Sequence, residues 1–191
     1  MRKYKYKGNQ KPIGYIASIS EKYRYFLETK GGNPLLCICL NPSNANKNFS
    51  DLTTQLLEKY TGHGNYGSIA LVNLYPFRET IPKHLPQYKC KVHYEKNLKI
   101  IKNIIDRNDI KDILIAPGSA IITREYLIDA LIEILNYGKR KSKNWYVINL
   151  TQDLLPYHPR GQMDGKKLIE IKIEHLLGIL ELHRMRINMS K

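Results

Sequence analysis

Six apolar residues in a row, Leu35-Leu36-Cys37-Ile38-Cys39-Leu40, stand between Gly31-Gly32-Asn33-Pro34 and Asn41-Pro42-Ser43. A run this short, with proline at both ends, predicts a strand buried on both faces rather than a turn of buried helix. Such a strand belongs in the middle of a parallel sheet. It delivers the next few residues to the sheet's carboxyl edge, where open α/β proteins place their ligands. Asn41, Pro42 and Ser43 are therefore candidate site residues, with Pro42 stiffening the turn that presents Asn41. Asn-Pro-Ser can equally be only a turn.

The pattern recurs along the chain. Ser68 to Leu74 reads as a strand and ends in Tyr75-Pro76-Phe77-Arg78-Glu79-Thr80; Asp112 to Ala116 ends in Pro117-Gly118-Ser119. Asn144 to Leu150 precedes a loop to Gly165 that contains His158-Pro159-Arg160. Helical periodicity lies between them: from a Ser50 or Asp51 cap to Tyr60, from about Tyr94 to Arg107, and from Thr123 or Arg124 to Tyr137. A long closing helix is expected from about Asp164 to His183. Ile13 to Ile19 is a candidate edge strand, Tyr23 to Glu28 a rim strand, and Ile81 to Val92 an exposed connection that includes Lys83. This order predicts a three-layer α/β/α sandwich with a central, mostly parallel four-stranded sheet. It reads as one domain, residues 1–191, with residues 1–20 as a basic amino-terminal arm. The polar loops all follow strands, so Asn41, Asn73, Ser119 and His158 should line one edge of one crevice.

Lys and Arg total 31 against 17 Asp and Glu, a net charge of +14 and a pI near 9.6. That balance suits a polyanionic partner, nucleic acid above all, because neutralising phosphates releases counterions. An AT-rich genome also inflates lysine, and some of the excess belongs to that. No apolar run approaches the roughly 20 residues needed to span a bilayer, and the basic amino terminus has no signal-peptide pattern, so the cytoplasm is expected. Cys37 and Cys39 share one face of the predicted strand and Cys90 is isolated. With no CxxC pair, buried thiols are expected and no metal site.

Several pieces, in order, resemble domain of unknown function 1643: Tyr23-Arg24-Tyr25, Leu40-Asn41-Pro42-Ser43-Asn44-Ala45, Asp51-x-Thr53, Tyr66-Gly67, Val72 to Arg78, and Thr151 with His158-Pro159. The resemblance covers nearly all the chain beyond residue 20. One departure is Ala116-Pro117-Gly118, where that family commonly carries a Trp before the Gly. The same motif order is similar to the uracil-DNA glycosylase superfamily and implies its fold. In that superfamily an Asn-Pro or Asp-Pro pair after a central strand positions the attacking water, which Asn41-Pro42 matches. An Asn ending the next strand reads the edge of the flipped base, which Asn73 matches. A late His-Pro loop supports the leaving base, which His158-Pro159 matches.

The resemblance implies a monofunctional DNA glycosylase that needs no cofactor, binds double-stranded DNA and works as a monomer. Glycosidic cleavage calls for a flipped nucleotide, a held water and stabilisation of a departing anionic base. Asn41 can hold the water, and Asp51 is the nearby carboxylate that could act as base, or else a helix N-cap. His158 can donate to the base as negative charge develops. Tyr75 and Phe77 can stack on the base or complete the core. Arg78, Arg160 and Lys83 suit phosphates. Arg24 reads as an edge-strand ion pair, and Tyr4 and Tyr6 as a DNA-contacting arm or a frayed end. Glycosylases strict for uracil carry a Tyr after the motif's Pro; here Ser43 is small. A 5-substituted pyrimidine, such as hydroxymethylcytosine or its glucosylated form in phage DNA, is therefore the expected substrate, with antiviral defence as the role. Uracil or mismatch repair, a non-catalytic nucleic-acid-binding module and an enzyme of free nucleosides are the alternatives.

Overall fold

The structure, a computed structural model, describes residues 4–6, 11–61, 65–160 and 167–189. In chain order its elements are β1 (Gly14–Ala17), β2 (Arg24–Glu28), β3 (Pro34–Cys39), α1 (Leu52–Thr61), β4 (Ser68–Asn73), α2 (Lys91–Ile105), β5 (Asp112–Ile115), α3 (Glu125–Gly138), β6 (Asn144–Val147), β7 (Ile169–Glu170) and α4 (Ile173–Met189). Short 3-10 turns at Pro82–His84 and Ser119–Thr123 follow β4 and β5.

The apolar run is the centre of the sheet. β3 pairs in parallel with β4 on one side, from Pro34↔Ser68 to Cys39↔Asn73, and with β5 on the other, Leu36↔Ile113 to Ile38↔Ile115. Its alternating side chains enter two different cores. Leu36 and Ile38 pack with residues of α2, α3 and α4, among them Leu98, Leu131 and Leu176; Leu35, Cys37 and Cys39 pack against Leu57 of α1. Both faces are dry, which is why the run needs no polar alternation.

The sheet has seven strands in the order β1-β2-β4-β3-β5-β6-β7, not four. β4-β3-β5-β6 are parallel, while β1, β2 and β7 add antiparallel partners, so the sheet is mixed. The closing segment also differs from the expected helix. Ile169–Glu170 pairs with β6 and Ile171 donates its N–H to Trp145 O (2.8 Å), so α4 begins only at Ile173 and runs on to Met189. The alternation Ile169-Glu170-Ile171-Lys172 explains this, because it is a period-two pattern that suits an edge strand better than a helix. The expected helix start at Asp164 lies outside the described residues. Among the described residues no helix is long and apolar enough to cross a membrane.

The connections create the crevice. From β3 the chain passes to α1 on one face and on to β4. From β4 it passes to α2, crosses to β5, and leaves β5 for α3 on the opposite face. The loops after β3 and β5 therefore part toward opposite faces of adjacent strands, a topological switch point of the kind at which open sheets bind ligands.

Candidate functional site

A cavity of about 200 Å³ opens at that switch point. The loop after β3 supplies Asn41 and Ser43, and α1 adds Thr53 from its first turn. The loop after β4 supplies Glu79, Thr80 and Pro82. Pro117 to Ala120 follow β5, and His158 and Arg160 follow β6. Of the four residues expected along one edge of a crevice, Asn41, Ser119 and His158 line this cavity, with Ser43 and Arg160 beside them, and Asn73 does not.

The loop from Asn41 to Asn46 is fixed at nearly every step. Pro42, which is buried and cannot donate, ends the ladder, and its carbonyl accepts from Glu79 N (3.0 Å). Ser43 O accepts from Arg78 Nη1 (2.9 Å); Ala45 O accepts from both Arg78 Nη1 (2.9 Å) and Arg24 Nη1 (3.0 Å). Ala45 N donates to Asp51 Oδ2 (3.1 Å). Asn41 is part of this frame: its Nδ2 donates to Glu79 O (2.6 Å) and Pro42 O (3.2 Å). That uses both amide hydrogens and leaves its carbonyl oxygen as the group offered to a ligand.

His158 is the second fixed group. Its Nδ1 accepts from Arg160 N (3.2 Å), so the neutral ring carries its proton on Nε2. Burial, helped by the Arg160 charge, lowers its pKa to about 4, and the ring stays neutral at ordinary pH. Gly118 makes the close packing possible. It has φ +79, and a Cβ there would lie 2.9 Å from His158 Cβ.

Glu79 is the carboxylate in the cavity wall, and sequence reasoning passed over it. Its Oε1 accepts from Ile81 N (3.0 Å) and Thr80 N (2.7 Å). The Ile81 N–H first, then the Thr80 N–H, holds its pKa below the usual carboxylate range, so it is ionised. The available signal was its place in the polar loop that ends the second buried strand. Thr53 was likewise legible only as part of the Asp51-x-Thr53 piece.

Asn73 departs from its expected place, and Asp51, Tyr75 and Phe77 take the structural one of the two roles each was open to. Asp51 caps α1: its Oδ1 accepts from Thr54 N (2.8 Å) and Thr54 Oγ1 (2.9 Å) while Oδ2 holds Ala45 N, and it does not line the cavity. Burial acts to raise its pKa, but the Arg24 charge and these bonds outweigh burial and leave it low. Asn73 is 1% exposed, faces the α1 side of the sheet beside Cys39, and lies away from the cavity lining. Tyr75 is fully buried, packs on Tyr126 with ring centroids 4.9 Å apart, and accepts Cys90 N (3.0 Å) at its hydroxyl. Phe77 stands edge-on to Tyr23 at 5.4 Å. Both aromatics are packing residues here.

The basic residues divide. Arg24, 1% exposed and within the sheet, forms no ion pair among the described residues; its Nη1 donates to Ala45 O, and it feels the Asp51 charge. Arg78 is committed to the loop carbonyls, Tyr15 and Glu21. Arg160 is exposed and lines the cavity, whereas Lys83 is exposed and next in sequence to the lining residue Pro82. Tyr6 is buried and donates to Asn46 O (2.7 Å), so this part of the expected arm braces the loop. Cys37 and Cys39 are buried thiols, with Cys39 pushed up to about 12 by burial, whereas Cys90 is exposed. Among the described residues no group of three or more His, Cys, Asp or Glu could hold a metal ion.

A family model described as a protein of unknown function, DUF1643, matches residues 24–160. The chain belongs to that family. The DUF1643 match begins at Arg24 and ends at Arg160, so it spans the loop frame and every described residue of the cavity wall. No curated protein and no solved structure matches the chain.

Proposed function

We propose that the chain is a monofunctional DNA glycosylase that hydrolyses the N-glycosidic bond of a flipped, modified base. The favoured substrate is a 5-substituted pyrimidine, such as hydroxymethylcytosine or its glucosylated form in phage DNA, which would make the role antiviral. The observation that carries the reading is the meeting of three groups in one small cavity. They are an acceptor held by its own amide (Asn41), an ionised carboxylate (Glu79) and a neutral imidazole with its proton on Nε2 (His158). At about 200 Å³ the space is below the roughly 300–1,000 Å³ of sites for larger ligands and suits one base with a water.

The roles follow from the chemistry. Asn41 Oδ1 accepts a hydrogen from the water, and Glu79 takes the proton as the water oxygen bonds to the anomeric carbon. The carbon–nitrogen bond breaks and its electron pair leaves on the base. His158 donates from Nε2 to the base as that charge grows; a neutral donor is effective because it is held in place before the bond breaks. Among the described residues no lysine lines the cavity, which is why hydrolysis rather than Schiff-base chemistry is proposed. Arg160 in the cavity wall, the exposed Lys83 and the net charge of +14 suit the flanking phosphates. The fold supports the reading at the level of an open sheet with its site at the switch point, the arrangement a uracil-DNA-glycosylase-like architecture would need.

Release of free base from duplex oligonucleotides carrying uracil, 5-hydroxymethylcytosine or glucosylated 5-hydroxymethylcytosine, read by alkaline strand scission, tests it. Asn41→Ala and Glu79→Gln should each slow release by on the order of 10²-fold or more, with DNA affinity changed only a few-fold. Binding without release by the wild type would assign a non-catalytic module, and release from nucleosides alone would assign an enzyme of free nucleosides. Excision of uracil alone would assign repair.

A further inference from the structure

Next to the base-sized cavity lies a larger one of about 660 Å³, and the two share Ser43, Glu79 and Thr80 as walls. Its far side is built by Tyr15 of β1, Glu21 from the β1–β2 turn, and the loop from Asn44 to Asn48. This side is a fixed structure. Arg78 Nη2 donates to Tyr15 OH (2.6 Å) and to Glu21 Oε2 (3.4 Å), and Tyr15 OH donates to Glu21 Oε2 (2.5 Å). Glu21 has φ +57, a left-handed conformation that costs free energy in any residue with a Cβ. The turn is held in that form with its carboxylate in the cavity wall.

The wall has a definite chemistry. Two cations, Lys47 and Arg78, face two anions, Glu21 and Glu79, so the formal charge of the lining cancels. Arg78 is already committed to two carbonyls, a hydroxyl and a carboxylate, and is not available to grip a phosphate. Carboxylates in the wall repel one as well. What is offered to a ligand is neutral and directional. Asn46 Oδ1 is used up by Asn48 N (2.8 Å) and Phe49 N (2.9 Å), which leaves its Nδ2 as a donor. Asn48 and Ser43 line the same space, with amide and hydroxyl groups that suit hydroxyls of either polarity.

We infer that this second cavity receives a neutral, polyhydroxylated substituent, a hexose, carried on the 5-position of the flipped pyrimidine. Ser43, with its small side chain, sits on the wall that the two cavities share. A 200 Å³ cavity alone has no room for a glycosylated base, whereas the two together do. The assignment rests on the glycosylase reading and names the part of the substrate that the first cavity cannot hold.

The experiment compares single-turnover base release from matched duplexes carrying 5-hydroxymethylcytosine and glucosylated 5-hydroxymethylcytosine, in α and β linkage. The wild type should favour one glucosylated form by at least about tenfold in kcat/KM. Asn46→Asp keeps the acceptor that the loop turn uses and removes the donor; Asn48→Ala alters a side chain with no described bond. Each should lower the ratio of glucosylated to unglucosylated release by roughly tenfold, with the thermal midpoint checked for both. If the wild type releases the unglucosylated base but gains nothing from glucose, or if the variants slow both substrates equally, the second cavity is not the sugar site and the glycosylase reading stands. If the wild type releases no base from any duplex, the glycosylase reading falls and this inference with it.

Discussion

His158 should make the protein lose stability in mild acid, with the loss beginning above the range where carboxylates titrate. In the unfolded chain the ring titrates near its ordinary pKa of 6.5; in the folded protein burial and the Arg160 charge lower it to about 4. The folded state therefore binds fewer protons than the unfolded one throughout that interval. The contribution is intact above pH 6.5 and is lost progressively as the pH falls toward 4. At about 1.36 kcal/mol per pH unit, the full difference is roughly 3 kcal/mol, and about 2 kcal/mol of it is already lost at pH 5. For a chain of this length that corresponds to a fall of roughly 4–8 °C in the melting midpoint between pH 8 and pH 5. Thermal and urea unfolding of wild type and His158→Asn at both pH values measures it. The Asn side chain can still accept from Arg160 N but does not titrate. His93, whose pKa burial also lowers, is present in both proteins and cancels in the comparison. The variant should lose markedly less stability on acidification than the wild type. Equal losses would mean that His158 is not held neutral, and the proposed donor role would go with it.

Two further outcomes test the frame and the surface. Asp51→Asn can still accept from Thr54 but removes the carboxylate whose charge most favours the ionised form of Arg24, which is 1% exposed. A loss of about 3–5 kcal/mol in urea unfolding is expected, with base release by the remaining folded protein within a few-fold of wild type; a hundredfold loss of release would return Asp51 to the catalytic role. Binding to duplex DNA of unrelated sequence should weaken with a log–log salt slope of roughly −0.9 per phosphate contacted, and a flat dependence would mean that the +14 charge is composition alone.

The parallel centre of the fold was legible because burial on both faces leaves an unmistakable trace. Leu35 to Leu40, Ser68 to Leu74 and Asp112 to Ala116 are nearly free of charge and end in proline or glycine loops. The edges were harder. β7 is two residues long and takes its register from β6, and nothing local separates Ile169-Glu170 from the start of a helix. The fate of Arg24 was hidden for a related reason. An arginine opening a short strand reads as a rim residue unless its neighbours are known, and here β1 and β4 enclose β2 while Asp51, 27 positions further along, supplies the opposing charge.

The site was legible at the level of loops and only partly at the level of side chains. Strand ends can be read from the sequence, so Asn41, Ser119 and His158 fell on the right edge. Whether a strand-end residue faces the crevice depends on parity and on the path of the loop, and these separate Asn41 from Asn73. Asn73 is the last residue of β4 and shares its face with Leu71 and with Cys39 across the ladder, so its side chain goes down against the α1 core. Asn41 lies two residues beyond Cys39, where Pro42 has already turned the chain, and its amide is caught by Glu79 O instead of the sheet. The same catch draws the loop after β4 over the cavity, and it brings the Glu79 carboxylate into the wall in place of Asp51. Two loops 38 residues apart are thus bonded in both directions, Glu79 N to Pro42 O and Asn41 Nδ2 to Glu79 O. The Asn41 amide is thus fixed to the Glu79 backbone, and the Glu79 carboxylate to Thr80 and Ile81, before any ligand arrives, which is the condition a group must meet to act on a transition state rather than merely to bind a substrate.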